Sequence, residues 1–128
     1  MAQWLICYLW VSKAFDYTNQ DTIQKAVKKL LAVRLWADEQ WKLKQSVQDI
    51  EWSILVISNF TLRWTLKKWT SIDFANAQSF DLAQNVYDSF IQELQAQYDV
   101  IKIYTGSFGA MMEVESVNDG PVNIVIDL

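Results

Sequence analysis

Three glycines and one proline are all that the 128 residues contain, and all four stand in the last quarter, as Gly106, Gly109, Gly120 and Pro121. No linker and no internal repeat interrupts the chain, so residues 1–128 read as one domain. With 52 % apolar side chains there is material for a sizeable core. No apolar run approaches the ~18 residues of a membrane span, and no membrane association is expected.

Hydrophobic periodicity assigns the elements. Residues 4–11, Trp-Leu-Ile-Cys-Tyr-Leu-Trp-Val, form a continuous apolar run that reads as a buried strand. From Asp21 to Leu35, Ile23, Ala26, Val27, Leu30 and Leu31 recur at helical spacing opposite Lys25, Lys28, Lys29 and Arg34, with Asn19 or Asp21 as cap. Residues 41–47 partly alternate, as in an exposed strand or hairpin arm, and 53–58 is a stronger strand. A second helix spans Ser79 to Gln97 through Leu82, Ala83, Val86, Tyr87, Phe90 and Leu94, with Ser79 available as cap. Residues 100–104, 111–117 and 122–127 read as three strands separated by glycine-bearing turns. Two helices among five or six strands predict an α+β fold with largely antiparallel sheets, or a partial barrel.

The chain has no histidine, which excludes a Ser-His-Asp triad, a Cys-His dyad and any His-ligated metal site within one chain. The lone cysteine, Cys7, excludes an internal disulfide and sits in the apolar run as a small hydrophobe. A reducing, cytoplasmic location fits best. A secretory reading of the same run, with Ser12-Lys13-Ala14 as cleavage site, is outweighed because no Lys or Arg precedes it and its removal would take away a core strand. Glu113 and Glu115 read as a solvated pair, and no glycine-rich nucleotide cradle occurs, so neither a metal nor a cofactor is expected.

Charge is unevenly distributed. Residues 1–68 carry ten bases against six acids, whereas residues 69–128 carry one base against nine acids. An isoelectric point near 4.7 argues against indiscriminate nucleic-acid binding, yet leaves room for local phosphate contacts. Arg63-Trp64-Thr65-Leu66-Lys67-Lys68-Trp69, echoed by Trp41-Lys42-Leu43-Lys44, interleaves cations with indoles. That mixture suits single-stranded nucleic acid, and equally a solvated face whose tryptophans belong to a core or subunit contact. Ser58-Asn59-Phe60-Thr61 follows a buried strand. Without histidine a hydroxyl nucleophile is implausible there, so backbone N–H groups aimed at an oxyanion are the better device. Gly120-Pro121, flanked by Asn118-Asp119 and Val122-Asn123, is either a plain tight turn or a rigid pair of carbonyl acceptors.

In combination these segments resemble the D-aminoacyl-tRNA deacylase family, also called D-tyrosyl-tRNA deacylases, from about Trp4 to Leu128. Ser58-Asn59-Phe60-Thr61-Leu62 is similar to the family's Ser-Gln-Phe-Thr-Leu. Thr105-Gly106-Ser107-Phe108-Gly109-Ala110-Met111-Met112 is similar to Thr-Gly-x-Phe-Gly-Ala-x-Met, and Asn118-Asp119-Gly120-Pro121-Val122-Asn123 to Asn-x-Gly-Pro-Val-Thr. The resemblance implies hydrolysis of the ester joining a D-amino acid, or glycine, to the tRNA 3′ end, by a homodimer in which a Gly-Pro turn enters the partner's pocket. It assigns catalysis to the segment Ser58, Asn59, Phe60 and Thr61, with main-chain groups near Phe60 as oxyanion site and assistance from the terminal adenosine's 2′-hydroxyl. Substrate binding falls to Phe108, Gly109, Ala110, Met112, Gly120, Pro121, Val122 and Asn123, and tRNA contacts to Arg63, Lys67 and Lys68.

The chain departs from that pattern at several places. Asn59 stands for Gln, Asn123 for Thr, and 68–74 keeps little of a Lys-Gly-x-x-Pro-Ser-Phe segment beyond Lys68 and Phe74. The sequence also starts where the family's first β-hairpin would have ended: either the gene model is short, or two strands are absent and leave a sheet edge for a dimer mate to cover. A catalytically impaired paralogue serving as a nucleic-acid-binding module is the alternative.

Overall fold

The computed structural model describes residues 3–120 and 122–128. In chain order it contains β1 (Trp4–Leu9), α1 (Gln20–Ala32), β2 (Arg34–Ala37), β3 (Leu43–Ser46), β4 (Ser53–Ser58), β5 (Thr65–Lys67), β6 (Ser71–Asp73), α2 (Phe80–Gln97) and β7 (Ile103–Thr105). Short 3₁₀ turns at Phe60–Leu62 and Val100–Lys102 complete it.

The α+β class with two helices is observed. Antiparallel pairing, however, is confined to the hairpins β2–β3 and β5–β6, while the central sheet, ordered β1-β4-β7, is parallel throughout. A parallel neighbour requires a crossover. The chain between β1 and β4 contains α1, and the chain between β4 and β7 contains α2, so each pair is separated by a helix that sequential strand-to-strand reading passes over.

Both helices bury the stripe that their periodicity marks. Ile23, Val27 and Leu31 of α1 and Val86, Tyr87, Phe90 and Leu94 of α2 join Val47, Ile54, Val56 and Ile103 in one core. Asn19 caps α1, its side-chain oxygen accepting from the Thr22 N–H at 3.4 Å. Ser79 stands at the N-cap of α2 but makes no side-chain cap bond, unlike the expectation. Helix α1 stops at Ala32 because Val33 turns extended and 34–37 pairs with 43–46. The strand expected over 100–104 begins only at Ile103, since Asp99 accepts from the Ile101 N–H and bends 100–102 into a turn.

The strands expected over 111–117 and 122–127 are absent: these residues, Pro121 lying outside the described set, join no ladder. Their alternation is real, but a strand needs a neighbour for its N–H and C=O groups, and none stands beside them among the described residues. Met111, Val117, Val122 and Val125 are consequently exposed.

The two hairpins turn through left-handed backbone. Trp41 has φ 60°, Lys68 φ 49° and Trp69 φ 70°. For a residue with a Cβ, that conformation costs about 1–2 kcal/mol.

Candidate active site

The parallel sheet places the ends of β4 and β7 side by side. Ser58 is paired with Leu9, and Thr105 with Val56, so the segments Ser58–Leu62 and Thr105–Met112 leave the same end of adjacent strands. Open parallel sheets commonly build their sites at this carboxyl end.

At the end of β4 the backbone is held closely. The Asn59 N–H donates to the Leu9 carbonyl at 3.0 Å. The Asn59 side-chain oxygen accepts from the Thr61 N–H at 3.1 Å and from the Thr61 hydroxyl at 2.6 Å, and the Leu62 N–H donates to the Asn59 carbonyl at 3.3 Å. The Thr61 hydroxyl proton is thus committed to an amide oxygen, which is no base. Within the turn the N–H groups of Thr61 and Leu62 are engaged, whereas that of Phe60 has no acceptor among the described residues. First-turn N–H groups left over in this way are ready donors to an oxyanion. The Phe60 ring is largely exposed and meets Phe74 edge to face at 5.4 Å.

Beyond the turn lies a cleft of about 420 Å³ lined by Trp10, Arg63, Trp64, Asp73 and Asn76 among others. The Arg63 guanidinium lies 5.6 Å from the Trp10 ring centre and pairs with Asp127, which ties the C-terminal segment back to the site. Lys67 pairs with Asp73 across the β5–β6 hairpin at 3.5 Å, and Lys68 has no ion-pair partner among the described residues. The tRNA-contact candidates Arg63, Lys67 and Lys68 therefore cluster on one segment next to the Ser58–Leu62 turn.

At the end of β7, the Gly106 N–H donates to the Val56 carbonyl at 3.4 Å and the Ala110 N–H to the Ser107 carbonyl at 3.1 Å, giving a compact turn. Phe108 packs on Phe80 and Tyr87, with ring centres 5.1 and 5.3 Å away. Tyr87 in turn donates to the Val56 carbonyl at 2.8 Å, and burial holds its hydroxyl above the ordinary tyrosine range. Gly109 adopts φ 71°, and a Cβ there would stand 2.3 Å from Phe80 Cε2. Met112 lies against Gly106, where a Cβ would meet its sulfur at 2.8 Å. A second cleft of about 420 Å³ opens between this turn and α2, next to Gln84, Asp88 and Gln92.

Among the described residues the third candidate segment joins no ladder. Gly120 has φ 119°, and Val122 and Asn123 are exposed; no hydrogen bond joins them to the other two segments among the described residues. Pro121, the centre of that expectation, lies outside the described residues. Cys7 packs against the core, and burial pushes its thiol up to about 11, which removes it as a nucleophile at neutral pH. Among the described residues no group of three or more acidic or cysteine side chains could hold a metal ion. Sequence reasoning passed over Leu9, Trp10, Phe74 and Tyr87, which shape the site. Trp10 closes the first apolar run, but only the parallel pairing of β1 with β4 brings it to the cleft.

Among the described residues, a main-chain donor at the end of β4 thus stands next to clustered cations. The chain belongs to the D-Tyr-tRNA(Tyr) deacylase family, a family of hydrolases, whose model it matches over residues 3–127. It is 38 % identical over 109 residues to the D-aminoacyl-tRNA deacylase of Finegoldia magna, an alignment covering 85 % of this chain and 72 % of that one. Among solved structures, the c-Myc DNA unwinding element binding protein superposes with a TM-score of 0.80 at 35 % identity, over 91 % of this chain and 76 % of its own. A probable eukaryotic D-amino acid tRNA deacylase superposes with a TM-score of 0.72 at 16 % identity, over 83 % and 75 %, which shows likeness of fold.

Proposed function

We propose that this protein hydrolyses the ester bond between a D-amino acid and the 3′ end of tRNA. The single observation that carries the chemistry is the Phe60 main-chain N–H, without an acceptor among the described residues, in a turn fixed by Asn59 at the same sheet end as the Thr105–Met112 segment. Water attacks the ester carbonyl, and the Phe60 N–H donates to the oxygen as it becomes an oxyanion. The bond from the carbonyl carbon to the ribose oxygen then breaks. The attacking water's proton goes to that oxygen, so free D-amino acid and a tRNA 3′-hydroxyl result. An aminoacyl ester is already activated, so positioning and one oriented dipole lower the barrier without a histidine.

The remaining roles follow the family resemblance. Phe108, Gly109, Ala110 and Met112 shape the amino-acid pocket. Gly120 and Pro121, with Val122 and Asn123, enter the pocket of a second copy in a homodimer, where their carbonyls hold the substrate's amino group and exclude L side chains. Among the described residues no hydrogen bond joins Gly120, Val122 or Asn123 to the Phe60 turn, which supports that arrangement, because a segment that acts in trans need not reach its own site. Arg63, Lys67 and Lys68 meet tRNA phosphates, and the Lys68 ammonium, with no ion-pair partner among the described residues, supports this. Replacing Pro121 by Ala should abolish hydrolysis of the D ester or admit the L ester, with tRNA binding nearly intact. Unchanged rate and unchanged chirality, measured on D-Tyr-tRNA and L-Tyr-tRNA, would remove the turn from the mechanism.

A further inference from the structure

Tryptophan and glycine are unevenly represented in this chain, with seven Trp and three Gly. An average chain is about 7 % glycine, about nine residues at this length. The structure shows where the imbalance falls. Trp41 and Trp69 occupy left-handed backbone at the tips of two hairpins, φ 60° and 70°, a region that glycine enters freely and a bulky residue rarely does.

Neither indole contributes to its turn. The first tip is closed by Asp38, whose side-chain oxygen accepts from the Gln40 and Lys42 N–H groups and whose carbonyl accepts from the Trp41 N–H. The second is closed by the Thr70 N–H donating to the Lys68 carbonyl. The two side chains are left 90 % and 92 % exposed. Trp10 misfits in the opposite way, its indole N–H being buried without an acceptor among the described residues.

We propose that positions 41, 69 and 10 are glycine in the protein as its native host makes it. One base separates the Gly codon GGA from UGA, and UGA itself is read as stop, as tryptophan or as glycine in different genetic codes. A gene of the last kind, read with the second assignment, shows Trp at each glycine that UGA encodes and keeps Gly where an ordinary glycine codon stands, as at Gly106, Gly109 and Gly120. Aromatic platforms for nucleic-acid bases would explain the exposure at 41 and 69. They would explain neither the left-handed backbone, which stacking does not require, nor the buried indole at 10. One cause covers all three.

The consequence reaches the site. Without an indole at position 10, the cleft beside the Ser58–Leu62 turn gains a side-chain volume, and Arg63 loses the ring it lies over while keeping its pairing with Asp127. The basic hairpin β5–β6 then meets tRNA through Lys67 and Lys68 alone.

The inference is independent of the proposed activity and is tested without it. The protein is isolated from its native host, and its peptides across 10, 41 and 69 are sequenced by mass spectrometry, with the intact mass measured alongside. Glycine at all three is the expected result, with an intact mass below the 14.9 kDa of the sequence as written. Tryptophan at any of the three overturns the inference, and at 41 or 69 it leaves the indole as a surface kept for a partner. In the recombinant chain, Trp41→Gly with Trp69→Gly should raise the melting temperature by a few degrees; a lower one overturns the claim that the backbone there prefers glycine.

Discussion

The side-chain oxygen of Asn59 holds both the Thr61 N–H and the Thr61 hydroxyl, so a three-atom contact sets the direction in which the Phe60 N–H points. Replacing Asn59 by Ala should cost about 1 kcal/mol of stability, as loss of a capping side chain does. It should also lower the single-turnover rate roughly 10–100-fold, because a main-chain donor moved by a fraction of an ångström loses much of its effect. Thr61→Ala should be milder, within about a factor of ten on the same rate, since the N–H cap survives. An acyl-Thr61 adduct in quenched reactions would contradict both expectations. Gly109 bears the opposite constraint: Ala at φ 71° and 2.3 Å from the Phe80 ring should destabilise the fold by about 1–3 kcal/mol in urea unfolding.

Among the elements, the two helices and the strands ending at Leu9 and Ser58 are legible in the sequence because each buries a periodic face in one core. The partners of those strands are not. Apolar runs such as 53–58 indicate burial on both faces, the mark of a parallel sheet, but say nothing of which strand lies beside them. For the same reason 111–117 and 122–127 look like strands and pair with nothing described. Of the site, the segments at 58–61 and 105–112 are legible as motifs, whereas the contributions of Leu9 and Trp10 depend on register, which only the ladder supplies.

One ionic device at this scale is measurable. Asp49 accepts from the Ser46 N–H and hydroxyl at 2.7 and 2.8 Å, closing the turn after β3, and those bonds hold its carboxyl below the ordinary aspartate range. A depressed folded-state pKa contributes stability that is present above the unfolded value and lost as pH falls through the folded one. Asp49→Asn should therefore flatten the acid limb of the stability curve below about pH 4 and leave its slope near neutrality unchanged, as denaturation at a series of pH values would read.

At the scale of the whole molecule, the basic first half and acidic second half meet at the site. Arg63 pairs with Asp127, and the cations of β5 lie beside the turn that carries the Phe60 N–H. The exposed apolar residues of 111–128 and the free edges of β1 and β7 in the three-stranded sheet are what a second copy would cover, which supports the proposed homodimer. In the proposed mechanism, oriented main-chain groups cleave an activated ester and select the D configuration. Single-turnover deacylation of D-Tyr-tRNA and L-Tyr-tRNA by the purified protein tests it most directly. The D ester should be lost rapidly, and the L ester should decay only at the rate without protein. Equal rates for the two, or a D ester that is bound and left intact, would contradict it.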